Sequence, residues 1–164
     1  MVTHVTVPQE FSGAEHVHVL GATLSITADG ESTDDEYLVL DMLVPPLFEN
    51  GLHTHDPSEV FHVIEGQIRL HVDGEDRTLS PGMTGYVAGG DVHGFANAGD
   101  GVARVVAVMT PGGAEGFFRE VGQPSEDRSL PEPVEPTEEM LQSVFATGEK
   151  YGFEFMGPLP ELAE

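Results

Sequence analysis

Apolar and polar residues alternate with period two along most of residues 15–111, in short runs closed by turn residues, which is the pattern of half-buried β-strands. In QIRLHVD (residues 67–73), Ile68, Leu70 and Val72 share one side while Gln67, Arg69, His71 and Asp73 share the other. In VARVVAVM, an outward Arg104 turns Val105, Ala107 and Met109 inward. HVLGATLSITA and EYLVLDMLV flank the turn-rich DGESTDDE and read as a hairpin pair. The second run stops at Pro45 and Pro46, which cannot continue a ladder. VFHVIEG, QIRLHVDG, RTLSPGMTGYVAGGDVHGFANAGDG and VARVVAVM follow, with turns at Asp73-Gly74 and Gly99-Asp100-Gly101. Such a series predicts an all-β sandwich or barrel with an apolar interior.

Beyond residue 111 the period changes. AEGFFREVG reads as a short helix stopped by Gly122, and residues 123–136 form a Pro- and Glu-rich linker. TEEMLQSVFATGEKYG reads as an amphipathic helix: Thr137 can cap it, Glu138 and Glu139 suit its positive end, and Met140, Leu141, Val144 and Phe145 form its apolar face. The expected division is an N-terminal extension (1–14), a barrel (15–111) and a C-terminal helical tail (112–164) that packs on the barrel or on a partner subunit.

A chain of 164 residues fits one domain, and its 20 Gly and 12 Pro suit many tight turns better than a helix bundle. The absence of cysteine excludes disulfides, thiolate nucleophiles and cysteine-held metals, so any metal must have N and O ligands. With 29 acidic against 6 basic residues the formal charge is −23, which opposes nucleic-acid and membrane binding. That acidity reads either as a solubilising surface or as adaptation to high salt. MVTHVTVPQEFSGAEHV lacks the basic start and apolar run of a secretory signal, and a cytoplasmic protein is expected.

The chemistry of the sequence lies in its histidines. His53 and His55 stand two apart on one predicted strand and so point the same way, and Glu59 follows across the Asp56-Pro57-Ser58 turn. His93, in GGDVHGFAN, can face them if the sheet rolls over. His16 and His18 have the same spacing without that company, so the spacing alone carries nothing. His62 falls on the outward side of its strand. Three imidazoles and a carboxylate suit a divalent first-row ion such as Fe, Mn, Co, Ni or Zn; against this stands the plainer reading of four unrelated polar residues along a barrel lining.

Here the sequence resembles the cupins. Their first motif, G(X)5HXH(X)3,4E(X)6G, is matched by His53, His55, Glu59 and Gly66, and their second, G(X)5PXG(X)2H(X)3N, by Gly82, Gly90, His93 and Asn97. Leu47 and Ala88 depart from it, standing where the motifs have glycine and proline. The resemblance implies a single-domain double-stranded β-helix, a jelly-roll barrel, with one metal ion per chain on His53, His55, Glu59 and His93. The stretches HVLGATLSITADG, PGGAEGFFREVG and EKYGFEFMGP are similar to the small quercetin 2,3-dioxygenase-like cupins. That likeness implies a dioxygenase using O2 on an enolic or phenolic, flavonol-like substrate, with Glu59 also acting as a catalytic base. A cupin isomerase, cyclase or decarboxylase, and a non-catalytic binding protein, are the alternatives. Alternation offers Phe61, Val63, Phe95 and Met109 as the pocket wall, and cupins commonly form homodimers.

Overall fold

The computed structural model describes residues 14–162, so the N-terminal extension, save Ala14, lies outside the described residues. In chain order the first elements are β1 (Glu15–Val19), β2 (Ala22–Ala28), the short helix α1 (Gly30–Thr33), β3 (Leu38–Val44), β4 (Leu52–Thr54) and β5 (Ser58–Glu65). There follow β6 (Ile68–Val72), β7 (Glu75–Leu79), β8 (Thr84–Val87), β9 (His93–Asn97) and β10 (Ala103–Thr110). The tail holds α2 (Glu115–Val121), β11 (Gln123–Ser125), α3 (Glu138–Lys150) and β12 (Glu154–Gly157). The strands form a seven-stranded sheet, β11-β1-β2-β3-β10-β5-β8, and a five-stranded sheet, β12-β4-β9-β6-β7, antiparallel throughout. This is a jelly-roll sandwich of the expected all-β class.

The run HVLGATLSITA, one element by its pattern, folds as two. Leu20 and Gly21, at φ +49° and +93°, make the tight turn between β1 and β2. Two successive left-handed residues favour Asn-Gly or Asp-Gly, and leucine at the first position hides the signal. β2 and β3 pair as the expected hairpin, closed by α1, whose cap Asp29 accepts from the Ser32 N–H at 2.9 Å.

Between the sheets the alternation holds. Ala103, Val105, Ala107 and Met109 of β10 are buried, as are Glu59, Phe61 and Val63 of β5, and Met109 is registered opposite Glu59. Each such apolar side chain contributes roughly 1.5–3 kcal/mol on burial. His71 departs from the outward position that alternation gives it, being only 5% exposed. It faces away from the core but is covered: Leu159 of the tail lies over neighbouring Gly94, Arg69 donates to Pro160 O, and Asp76 Oδ1 sits 3.1 Å from His71 Nδ1.

The tail is not purely helical. The linker opens with β11, paired to β1, and Arg128 further along reaches the buried Asp41 at 2.7 Å, where Arg104 also binds. α3 begins at Thr137, whose hydroxyl accepts from the Met140 N–H. Val144 is buried and Leu141 half-buried, whereas Met140 and Phe145 stay 37% and 40% exposed, so its apolar face is only partly covered. Among the described residues no helix is long and apolar enough to cross a membrane.

Candidate metal centre

Four strand-borne positions converge between the sheets. His53 on β4 is registered directly opposite His93 on β9, His55 follows just past the end of β4, and Glu59 comes from β5 in the facing sheet. One ligand nitrogen from each of His53, His55 and His93 lies within 4.8 Å of the other two. Glu59 Oε2 is 3.1 Å from His55 Nε2 and 3.3 Å from His93 Nε2, so the carboxylate meets two of the three imidazoles. All four side chains are buried.

The ring orientations are set by the backbone. Nδ1 of His53 lies 3.1 Å from Gly51 O, that of His55 2.9 Å from Pro57 O, and that of His93 2.9 Å from Asp91 O. A carbonyl oxygen only accepts, so each Nδ1 carries the proton, and in the neutral ring each Nε2 presents a lone pair. Burial, with the neighbouring His93, lowers the His53 pKa to about 4 and keeps it neutral. Burial alone would raise Glu59, but with a proton on the facing Nε2 atoms the hydrogen bonds of His55 and His93 prevail and bring it to about 2. Burial likewise opposes charging His93, yet the contact with Glu59 outweighs it and its pKa rises.

This donor set fits a metal ion. Two Nε2 lone pairs and a carboxylate oxygen meet within 3.3 Å, an arrangement of acceptors that is stable only around a cation. Either a proton on an imidazole or a metal can fill that role. The Nδ1–carbonyl bonds are the outer supports that hold metal-ligating histidines in place.

The other motif positions have backbone reasons. Gly66 turns at φ +74°, and a Cβ there would meet Ala103 Cα at 2.8 Å. Asn97 donates to Val44 O and Gly101 O and accepts from the Gly99 N–H, pinning the β9–β10 turn. Leu47, in the motif's glycine place, takes φ +65° while 96% exposed.

The Cupin domain family matches residues 40–109. A quercetin 2,3-dioxygenase of Bacillus subtilis is 31% identical over 107 residues, 65% of this chain and 32% of that protein. Residues 40–109 form a cupin domain. The chain spans half or less of the length of the curated relatives it matches. Its fold is shared with a predicted oxalate decarboxylase from Thermotoga maritima, at TM-score 0.59 and 19% identity over 65% of this chain and 99% of that one. It is also shared with an RmlC-like cupin from Shewanella frigidimarina, at TM-score 0.56 and 18% identity over 67% of this chain and 96% of that one.

The centre opens on a cavity of about 90 Å3, with His53, His55 and Glu59 on its wall and His93 behind them. Phe95 and Met109 line the cavity, whereas Phe61 and Val63, offered by the same alternation, do not. Both are wholly in the core cluster, because period two gives the face of a strand but not the position along it. The tail supplies wall that the strand pattern did not offer: Phe117, Phe118, Val144, Phe153 and Phe155. The F-x-F spacing of GFEFMG is the one signal that could have pointed there. Other described histidines stand apart: His62 contacts Thr84, His16 contacts Ser25, and His18 reaches Ser129 O.

Proposed function

We propose that this cupin is a metal-dependent dioxygenase acting on an enolic or phenolic aromatic small molecule, with one divalent first-row ion per chain. The observation that carries the proposal is the composition of the cavity. Among the described residues, Asn50 is the only polar side chain on its wall beside the donors His53, His55 and Glu59, and no Arg or Lys lines it. A sugar phosphate or a small dicarboxylate would have only the metal as a cationic partner there, and its remaining charge would leave water uncompensated. A flat, neutral ring bearing one acidic hydroxyl suits the aromatic lining.

A divalent ion on His53, His55, His93 and Glu59 would acidify such a hydroxyl and exchange electrons with substrate and O2. The protein's own part is proton handling and exclusion of water. Glu59, as a carboxylate, can accept the hydroxyl proton. Asn50 Oδ1 already accepts from the Phe95 N–H at 2.8 Å, which leaves its amide hydrogens as the neutral donors of the wall. The aromatic side chains keep water from the ionised substrate.

Metal analysis of the purified protein, followed by oxygen uptake with a panel of phenols and enolones, tests the proposal. Turnover that consumes no oxygen would instead make the site a Lewis-acid isomerase, cyclase or decarboxylase. Under saturating metal, Glu59→Gln should cut turnover far more than it cuts metal content; equal turnover would end the base role.

A further inference from the structure

We propose that Phe153 fixes the size of substrate this site accepts, limiting it to single-ring enols and phenols; this rests on the substrate class proposed above. An apolar cavity of about 150 Å3 admits benzene, so a cavity of about 90 Å3 takes even a single small ring only with a slight outward shift of its wall. A three-ring flavonol needs the wall to yield, and the wall nearest the donors is Phe153. Its ring centroid lies 5.2 Å from that of His55, edge to face, and 6.2 Å from that of His53.

Phe153 is held from every side. Phe117 stacks on it at 4.4 Å and 25°, and Phe155 lies parallel at 6.2 Å. Its N–H donates to Gly148 O at 2.9 Å, fixing it to the end of α3. A Cβ on Gly148 would overlap the Phe155 ring and come within 3.2 Å of Phe153 Cβ, so the helix reaches this wall only because that residue has no side chain. Phe155 is registered opposite His53, which ties the wall to the strand bearing the first donor. A ring so confined excludes a larger substrate by volume rather than by charge.

The size limit can be read from binding alone. Zinc-loaded protein, which is redox-inert, is titrated calorimetrically with 3-hydroxypyran-4-one and with 3-hydroxyflavone. The two share the enolone ring and differ by a fused benzo ring and a phenyl group. The parent should bind the flavone at least about tenfold more weakly than the pyranone. Phe153→Ala, which vacates one phenyl ring, should gain at least about tenfold for the flavone and keep the pyranone within about threefold, a tenfold change being well resolved by calorimetry. Phe153→Leu should gain less and serves if the alanine variant does not fold. Met140→Ala trims α3 at a half-exposed position off the cavity wall and should change neither affinity.

Equal parent affinities for the two ligands would overturn the size limit, as would a folded, zinc-replete Phe153 variant with no gain. A gain as large in Met140→Ala would also overturn it, by showing general loosening. A zinc-loaded parent that binds neither ligand would sink the substrate class and the limit together. Size-selective binding without oxygen uptake in the iron-loaded protein would sink the oxidative chemistry while supporting the limit.

Discussion

Glu59→Gln should act in opposite directions on the metal-free and metal-loaded protein. In the metal-free state Glu59 Oε2 faces the lone-pair nitrogens of His55 and His93 at 3.1 and 3.3 Å, so a proton must sit between them and two charges are buried. A glutamine amide keeps the shape and supplies an N–H donor of its own, and His93 can then stay neutral. Breaking a buried ion pair costs about 3–5 kcal/mol when a charge is stranded, whereas neutral replacement is often neutral or stabilising by about 1–4 kcal/mol. Metal-free Glu59→Gln should therefore be as stable as the parent or more so. With metal the sign reverses, because the amide has lost the anionic donor. Ligand stabilisation follows the ratio of metal concentration to Kd, about 1.4 kcal/mol for each tenfold. For a protein of this size that is roughly 3–6 °C of Tm per tenfold loss of affinity. Thermal unfolding with and without excess zinc measures both halves. An unchanged zinc-induced shift, together with a destabilised metal-free variant, would refute the reasoning.

Leu47→Gly should stabilise by up to about 1 kcal/mol, because a left-handed leucine costs roughly 1–2 kcal/mol and its exposed side chain packs on nothing. Leu47→Ala keeps the Cβ and should not gain, so equal denaturation midpoints for the two would dismiss the backbone argument. Asn97→Ala removes three hydrogen bonds at the β9–β10 turn and should cost about 2–3 kcal/mol in urea unfolding. Asp29 is held at about 2, first by the Arg119 hydrogen bond and then by Ser32, against an ordinary value of 3.8. A depressed carboxylate stabilises fully above its unfolded pKa and loses that contribution as pH falls through the folded one. The stability gap between parent and Asp29→Asn should therefore close between about pH 4 and pH 2, from about 1 kcal/mol after solvent screening; a gap independent of pH would remove the ion pair from the account.

How much of this is legible in the sequence depends on distance along the chain. The strands of residues 15–110 declare themselves by alternation, and His53, His55 and Glu59 by local spacing; only His93 needs the sheet to close over. β11 and β12 are three and four residues long, too short for a period, and their partners β1 and β4 lie about a hundred positions away. The same long-range packing covers His71, because nothing near it in sequence announces that Leu159 and Pro160 will lie over that face. Phe61 and Val63 show the opposite limit: their side of the strand is readable, but whether a buried side chain meets the cavity or the core depends on where the two sheets part.

The pairing of β12 with β4 also bears on solubility. β4 shares one registered pair with β9, His53 with His93, and three with β12. Without the tail, the strand bearing His53 would present its unpaired backbone to other chains, as an unguarded edge that templates aggregation. β12 takes over that exposed position and is itself a poor template: it is four residues long, carries Glu154, and runs into Pro158 and Pro160. A shortened chain ending near residue 110, the limit of the matched family region, should therefore precipitate for want of an edge guard even where its own strands could still pair.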